Sequence, residues 1–586
     1  MKNIRFILVF FLLIAGASGA YYYFNKPVAP VLADPMQLLP SDTLAAVTAI
    51  RLTETIDQFR RSPLGKTVGT MDWEAAANSL GIRPEETIRA KETLTQARQI
   101  LSSTWFNEIF GQQAAIGLLP PAAADIHSTP PQEVLKETLI LVARPQKPSQ
   151  FLDILGKMVL KEIQVTAETY EGHNIKRVTI PDGPAFFYAV QSGYALIGLN
   201  PRPVLLCMTP KAPVPERLTA TEGYRALAET LFGAADERFR SYLNVEALVE
   251  RFSDLLSSFL NEMDQKEQET LKNSLAYLSG IRSVGAVSLD NGGPVIHERL
   301  QALIDPGLLH PQMVKSLSRA PELNPTLAMA TQTPIFYFWQ NYQDFMQLWE
   351  MAVASDPDEK ASIDQFKAWF KGQLDMEVEE VLAAFDSQIM WVFNDVTDGG
   401  LFPAPELAVS FKMKDAEIFT QLLSNIASGM GVNLQTESHP ELTITHAVTP
   451  IGDAINPAFA CKEGFCTLAT NRQLLKTLLS PAGRQPLTEN PKFKAVSQGW
   501  LDPSNQLAFL DLEEALKKTR LVIDWGANWV AAMDPQNAPN RSELLDKAVY
   551  PLLEGFSMYQ AAGLRTLIKN DRISTDISIL VRRTNE

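Results

Sequence analysis

Apolar and polar residues alternate along many short segments of the chain, and tight turns separate these segments. Alternation with a period of two is typical of strands, and short turns join antiparallel neighbours. Other segments repeat apolar residues with a period near 3.6, most clearly between Val245 and Leu260. That period predicts helices packed through one face on a sheet. We therefore predict an α+β fold of mainly antiparallel sheet covered by helices.

The order of these segments occurs twice, with an offset of roughly 270 residues, which predicts two homologous domains. The hairpin from Phe187 to Asn200 corresponds to the hairpin from Phe459 to Asn471, with Gly193 matched by Gly464. The other matches, with the first copy named first, are Leu39–Ala45 with Leu323–Ala328, Phe110–Gln113 with Phe385–Gln388, Glu137–Ala143 with Glu406–Phe411, Lys147–Leu155 with Lys414–Leu423, Leu218–Thr219 with Leu487–Thr488, Tyr224 with Phe493, Tyr242–Glu246 with Phe509–Glu513, and Arg282–Leu303 with Leu564–Val581. They share order, spacing and residue type, and little identity.

This repeat sets the predicted division of the chain. A length of 586 residues is too great for one ordinary core. We predict a membrane-targeting segment over 1–26, a proline-bearing spacer over 27–37, the first copy over 38–305, a linker over 306–319 and the second copy over 320–586.

The N-terminal segment has the pattern of a membrane-spanning helix. Lys2 and Arg5 precede an uncharged stretch from Phe6 to Phe24. A helix of that length is ~28 Å long, close to the ~30 Å hydrocarbon core of a bilayer. The positive flank predicts an N-terminus in the cytoplasm and the rest of the chain outside it. We therefore predict a single-pass protein of the bacterial inner membrane, held through Phe6 to Phe24, with most of the chain in the periplasm.

The same segment also fits a signal peptide. Ser18, Gly19 and Ala20 are the small residues that a signal peptidase prefers, so cleavage after Ala20 would release the protein into the periplasm. The full spanning length and the aromatic residues from Tyr21 to Phe24 favour the uncleaved anchor.

Composition and charge narrow the possible partners. The chain is 46% hydrophobic and 20% charged, as in a globular protein. Its formal net charge of −15 repels phosphate backbones, so we expect no nucleic acid partner. Tight electrostatic docking on anionic lipid is disfavoured for the same reason.

The cysteines allow one disulfide. Of the three cysteines, Cys461 and Cys466 bracket a short loop between apolar runs, where they could face each other across a hairpin. In an oxidising compartment they could form a disulfide, and otherwise they are two buried thiols. Two cysteines without a nearby histidine are too few ligands for a metal site.

The search for catalytic, cofactor-binding or metal-binding residues yields no candidate. The histidines are scattered, although His439 and His446 would come close on neighbouring strands. The sequence lacks the glycine patterns of phosphate loops and nucleophile elbows, and Gly429 and Gly431 follow a helix instead of opening one. Acidic clusters such as Glu377, Glu379 and Glu380 read as solvated surfaces.

Aromatic residues are concentrated in the second copy. They could form an apolar groove for a lipid, peptide or glycan, although ordinary core packing is the favoured interpretation. These residues are Trp339, Trp349, Trp369, Trp391, Trp500, Trp525 and Trp529, together with Phe336, Tyr337, Phe338 and Phe345.

Two segments carry a resemblance to known proteins: Leu39-Pro40-Ser41-Asp42-Thr43-Leu44-Ala45 and the later Ser62-Pro63-Leu64-Gly65. They resemble a family of uncharacterised bacterial envelope proteins with a domain of unknown function. The resemblance implies an N-terminal membrane segment and a large extracytoplasmic region, and no activity. We expect a non-catalytic binding or scaffolding protein with a hydrophobic ligand or an envelope protein as partner. The alternatives are an extracytoplasmic hydrolase with a non-standard site and an accessory subunit of a membrane complex.

Overall fold

A computed structural model shows two compact units, distinguished by their internal contacts. Unit 1 contains the described residues up to Gly292 together with Glu298–Leu308, and unit 2 contains Gly293–His297 and the described residues from Leu309 onward. The residues that the structure describes are 34–79, 82–122, 131–145, 164–179, 185–208, 217–251, 268, 276, 278–355, 360–398, 402–439, 442–449, 455–480, 485–497, 500–535, 538–569 and 571–583.

Some predictions concern residues outside these ranges. They are the membrane segment Phe6 to Phe24, the predicted helix from Lys147 to Leu155 and most of the apolar stripe from Val245 to Leu260. Within the described part of the chain, no helix is both long enough and apolar enough to span a bilayer.

The elements of the first half are strands interrupted by short helices. The strands are β1 Ala45–Ile50, β2 Gln113–Leu118, β3 Leu139–Arg144, β4 Gln164–Tyr170, β5 His173–Thr179, β6 Phe186–Gln191, β7 Tyr194–Gly198, β8 Glu237–Asn244, β9 Ile281–Leu289 and β10 Val295–Ile304. The helices are α1 Leu52–Arg61, α2 Pro63–Thr70, α3 Trp73–Ser79, α4 Pro84–Ser102, α5 Thr104–Phe110, α6 Pro131–Thr138, α7 Pro201–Met208 and α8 Glu222–Ala228, with 3-10 turns at Pro35–Leu38 and Leu218–Ala220.

The elements of the second half follow the same alternation. The strands are β11 Phe336–Gln340, β12 Phe385–Asp398, β13 Pro403–Met413, β14 Leu434–His439, β15 Leu442–Ala447, β16 Ala458–Lys462, β17 Phe465–Ala469, β18 Gln506–Leu510, β19 Tyr559–Lys569 and β20 Arg572–Val581. The helices are α9 Pro311–Leu317, α10 Phe345–Ser355, α11 Lys360–Leu374, α12 Val378–Ala384, α13 Ala416–Gly429, α14 Arg472–Leu479, α15 Pro491–Val496, α16 Leu512–Met533, α17 Ala538–Leu544 and α18 Tyr550–Phe556, with a 3-10 turn at Leu487–Glu489 and a π-helical turn at Leu545–Val549.

The predicted α+β fold with antiparallel sheet and helices is confirmed. In unit 1 the strand order is β4-β5-β6-β7-β3-β2-β1-β8-β9-β10. In unit 2 it is β14-β15-β16-β17-β13-β12-β11-β18-β19-β20. Adding ten to each strand number of the first order gives the second.

Each sheet packs its main core against the short helices that follow its central hairpin. We call the side of the sheet that faces this core the inner face. In unit 1 the core contains Val204 of α7 and Leu227 of α8, both buried. In unit 2 the inner face is formed by Tyr337 and Trp339 of β11 and is covered by α14 and α15.

Helix α14 shows how the sequence produces this layer. Leucines at 474, 475, 478 and 479 lie on one face of the helix and are all buried against the sheet. The helix begins at Asn471, whose side chain accepts a hydrogen bond from the backbone N–H of Leu474 at 2.7 Å. An asparagine cap of this kind satisfies a donor that the first helical turn leaves open.

The central hairpin of each unit has the same tight turn. Ser192 and Gly193 have φ of 51° and 82°, and Glu463 and Gly464 have φ of 52° and 79°. Two successive positive φ values define the two-residue turn that matches the twist of antiparallel strands. Glycine takes the second position at no steric cost.

A second glycine allows a helix-side aromatic ring to approach each sheet. Gly285 pairs with Tyr242 across β8 and β9, and Gly563 pairs with Phe509 across β18 and β19. A Cβ atom on Gly285 would lie 3.0 Å from the Phe232 ring. A Cβ atom on Gly563 would lie 2.5 Å from the Trp500 indole.

Two regular elements lie within the predicted spacer and linker. Met36, inside the predicted spacer 27–37, is completely buried in unit 1, because the 3-10 turn at Pro35–Leu38 packs into its core. Helix α9 lies inside the predicted linker 306–319, and Ser316 donates a hydrogen bond to Gln347 at 3.0 Å. Prolines favour an extended chain, so the sequence pattern alone assigns the apolar residues that follow them to a spacer.

We expect Gly563→Ala to destabilise unit 2. The added methyl group would meet Trp500 at 2.5 Å and Val496 at 2.8 Å, and such overpacking costs about 1–3 kcal/mol. The matched control is Gly526→Ala in α16, where a Cβ atom would meet nothing within 4 Å and should stabilise the helix by about 0.5–1 kcal/mol. Urea unfolding followed by circular dichroism measures both. Equal stability of the two variants would show that Trp500 does not pack on this glycine.

Candidate functional site

The outer face of the unit 2 sheet, opposite the main core, carries large apolar side chains. Phe338 on β11 pairs with Trp391 on β12, and Phe336 pairs with Phe393. Because side chains alternate along a strand, these residues point away from the buried Tyr337 and Trp339. Across the next strand, Trp391 and Phe393 pair with Val409 and Leu407 of β13. We call these six residues the outer patch: Phe336, Phe338, Trp391, Phe393, Leu407 and Val409.

The outer patch remains partly open to solvent. Trp391 is 39% exposed and Leu407 is 36% exposed, and the other four residues are partly exposed. The rings of Phe336 and Phe338 stack with centroids 6.4 Å apart. These partly exposed aromatic side chains are not packed as core residues are, because the core residues of the same strands are fully buried.

Helices cover a different part of this face. Cys466 and Phe459 pack against Ala384 of α12 and Phe419 of α13. Phe411 joins them, with its ring centroid 5.1 Å from that of Phe385. The covered part is therefore formed by β13, β16 and β17, next to the outer patch.

Polar residues follow the patch residues of β12 along the chain. Asn394 donates a hydrogen bond to Glu406 at 2.7 Å and accepts one from Thr331 at 2.6 Å. Lys518 at the start of α16 forms an ion pair with Asp395 at 2.6 Å. These contacts fix the strand that presents Trp391.

Unit 1 has smaller side chains at the equivalent positions. Val47 of β1 pairs with Ile116 of β2, as Phe338 pairs with Trp391, and both are more than 40% exposed. Leu141 of β3 takes the place of Val409 and is buried. The aromatic side chains of the outer patch therefore distinguish unit 2 from unit 1.

The tryptophans and neighbouring aromatics singled out in the sequence divide between core and surface. Trp339, Trp500 and Tyr337 are buried, as core packing predicts. Trp391, Trp369, Trp525 and Trp529 are each more than a third exposed. Phe345 and Trp349 lie between these extremes.

The two cysteines for which the sequence left a disulfide open lie on neighbouring strands and are bonded in the structure. Cys461 of β16 pairs with Cys466 of β17, with their Cα atoms 4.0 Å apart and their sulfurs 1.97 Å apart. The third cysteine, Cys207, is buried in unit 1. Burial raises the pKa of its thiol to about 12, so the thiol stays protonated at neutral pH and is not a nucleophile.

Two histidines meet at a carboxylate that sequence reasoning missed. Glu437 on β14 lies 3.5 Å from His439 and 3.5 Å from His446. Lys476 of α14 lies 2.9 Å from the same carboxylate, and Arg472 lies 2.5 Å from it. Hydrogen bonding by Lys476, followed by its charge and that of Arg472, lowers the pKa of Glu437 to about 2.

This cluster ties the edge hairpin to α14, and unit 1 has a counterpart. Glu437 pairs with the buried Ile444, as Glu168 pairs with the buried Ile175. Glu168 lies 3.7 Å from Arg177, two residues beyond Ile175. The repeated register indicates a structural role for Glu437. The sequence signal that could have revealed this role is the offset of 269 residues, which separates Glu168 from Glu437 and Ile175 from Ile444.

The other candidate residues form no reaction centre. Glu377 and Glu379 form ion pairs with Lys371 and Lys367 on the surface. Gly431, with φ of 67°, follows the end of α13, as expected for a helix terminus. Among the residues that the structure describes, no group of three or more His, Cys, Asp or Glu side chains is placed to hold a metal ion.

Comparisons with known proteins give no family. Neither a family model nor a curated protein matches the chain. A solved structure, crystal form I of TP0453, matches with 10% identity and a TM-score of 0.21, covering 45% of this chain and 81% of that one. A likeness of that size carries no argument about fold or function.

The Glu437 cluster predicts a pH-dependent contribution to stability. The pKa of Glu437 is depressed from 4.5 to about 2, so its contribution is fully present above pH ~4.5 and is lost as the pH falls through 2. We expect Glu437→Gln to lower the melting temperature of unit 2 at pH 6, and the difference from wild type to shrink steadily as the pH falls from 4.5 through 2. Calorimetric melts across this range measure it.

The matched control is Glu489→Gln, which breaks the exposed pair with Lys494 and should change the melts little. A Glu437→Gln effect of constant size at every pH would assign the loss to packing instead of charge.

Proposed function

We propose that the protein is a membrane-tethered binding protein on the extracytoplasmic side of the bacterial inner membrane, and that the outer patch of unit 2 holds the acyl chain of a lipid. The observation that carries the proposal is the partly exposed aromatic surface around Phe338 and Trp391. Apolar surfaces of this kind are typical of ligand or partner sites.

The geometry of a sheet face favours an acyl chain over a peptide or a glycan. The backbone N–H and C=O groups of β11 and β12 are paired with neighbouring strands on both sides. The patch therefore offers no backbone ladder to an added strand, unlike a sheet edge. Of its six side chains only the Trp391 indole has a hydrogen-bond donor. The patch can therefore bind a ligand mainly through apolar contacts, which suit a hydrocarbon chain.

The start of unit 1 supports a short tether. Arg240 is buried and forms an ion pair with Asp34 at 2.5 Å and hydrogen bonds with Glu237 at 2.6 Å and 3.0 Å. Tyr224 donates a hydrogen bond to Asp34 at 3.3 Å. If Phe6 to Phe24 spans the membrane, the chain between Phe24 and Asp34 reaches no further than about 35 Å. A lipid surface is then within reach of unit 1.

The bonded cysteines support a location outside the cytosol. Disulfides persist in oxidising compartments such as the periplasm and are rare in the cytosol. The pair Cys461 and Cys466 closes the hairpin of β16 and β17. The location also agrees with the positive flank at Lys2 and Arg5.

We also infer that the two units are homologous domains. The identical strand order, the matched turns at Gly193 and Gly464, and the matched close approaches at Gly285 and Gly563 support the inference. On this account a duplicated sheet supplies two outer faces, and the second has gained the aromatic residues of the ligand site.

Photo-crosslinking of the full-length protein with a diazirine-bearing fatty acid tests the ligand site. We expect cross-links on β11 and β12, and a loss of labelling by about tenfold or more in Phe338→Asp and Trp391→Asp, because a charge beside the chain costs well over 1.4 kcal/mol. The matched control is Trp369→Asp on α11, an exposed tryptophan outside the patch, which should keep full labelling.

Labelling confined to Phe6 to Phe24, or lost equally in the control, would contradict the ligand site.

Intact mass spectrometry of the same denatured protein checks the location. We expect the complete N-terminus and one alkylated thiol without reduction. A mature start at Tyr21 or three alkylated thiols would contradict the anchor or the disulfide, respectively.

A further inference from the structure

Helix α16 carries an exposed apolar stripe that is separate from the outer patch. None of its 22 residues is buried. Along one side, Leu521, Trp525, Trp529 and Met533 recur at intervals of four residues, and each is between 36% and 69% exposed. Residues four apart lie on the same side of a helix, so these four form one continuous strip. We call them the α16 stripe.

The other side of α16 is held by the segment that follows it. Tyr550 donates a hydrogen bond to Asp524, and the Arg520 guanidinium lies 4.7 Å from the Tyr550 ring centroid. Arg541 forms an ion pair with Asp534 at 2.9 Å. These contacts fix the rotation of the helix about its axis. The α16 stripe is therefore turned towards solvent by the packing of α17 and α18.

The chemistry of the stripe is that of a membrane interface. The Trp525 and Trp529 rings stack with centroids 5.9 Å apart and an angle of 8° between their planes. None of the four stripe residues is charged, and the adjacent Val522 extends the strip as a further exposed apolar side chain. Tryptophan is enriched where the bilayer meets water, because its ring is apolar and its N–H can stay hydrated. A helix lying in that plane buries an apolar side of this kind.

The chain outside the described residues points to the bilayer as the occupant. The uncharged segment Phe6 to Phe24 ends ten residues before Asp34, which is anchored on Arg240. A tether of that reach keeps a lipid surface at a high local concentration. The net charge of −15 opposes electrostatic attraction to anionic lipid, which favours attachment by apolar insertion.

We propose that the α16 stripe inserts into the interface of the bilayer that carries the N-terminal tether, as a second attachment point. This inference rests on the tether of the proposed function and is independent of the ligand site. It assigns Trp525 and Trp529 to the lipid headgroup region and predicts attachment to uncharged lipid.

Quenching by brominated phosphatidylcholine tests the proposal on the full-length protein reconstituted in vesicles. Residues 1–33 contain no tryptophan, so any quenched emission comes from the rest of the chain. We expect quenching in the wild type. The double variant Trp525→Phe/Trp529→Phe should lose most of this quenching. The matched control Trp369→Phe, which removes an exposed tryptophan on α11, should retain it.

A second variant keeps both fluorophores. Leu521→Asp/Met533→Asp adds two charges to the stripe and should abolish the quenching while the circular dichroism spectrum stays that of the wild type. Protein that floats with the vesicles without quenching would overturn the insertion and leave the tether standing. Protein that does not float would overturn the tether and this inference together. Trp525 and Trp529 emission shielded from acrylamide in the absence of lipid would assign the stripe to a second copy of the chain and overturn the proposal.

Discussion

The period of two along a strand gives every sheet two faces, and the rest of this structure depends on how each face is covered. In unit 2, Tyr337 and Trp339 face the helices α14 and α15, and Phe336 and Phe338 face the opposite way. Helices α12 and α13 cover the part of the outer face around Phe411 and leave the outer patch partly exposed. Burial of one apolar face stabilises the unit. The proposed ligand site is the exposed part of the opposite face.

The contrast between the units follows from the same constraint. Val47 in unit 1 and Phe338 in unit 2 occupy equivalent outward positions at the centre of their sheets. Outward positions that stay exposed contribute little to the core, so their size can change without disturbing the fold. Buried positions cannot change in this way, and Leu218 and Leu487 remain fully buried in equivalent 3-10 turns. Two sheets with the same strand order can therefore present different surfaces on their outer faces.

Much of the fold could be predicted from local signals. Gly193 and Gly464 mark turns that require positive φ, and the caps Asn471 and Asp511 mark helix starts. Exposure could not be predicted in the same way. The sequence favours core packing for the tryptophans, yet Trp391 is exposed beside the buried Val392, because alternation separates the faces without saying which one is covered. The Glu437 cluster was missed because its cations come from α14, 35 residues and more along the chain.

The most direct test is a charge placed on each face of one strand. Trp391→Asp and Val392→Asp differ by a single step along β12, and urea unfolding gives the free energy of unfolding of each. We predict that Trp391→Asp stays within about 1 kcal/mol of wild type, as for a surface change, and that Val392→Asp costs about 4 kcal/mol or more, because an unpaired charge enters the core. Equal, large losses in both variants would show that the outer face is covered, and would contradict the account of an open apolar surface.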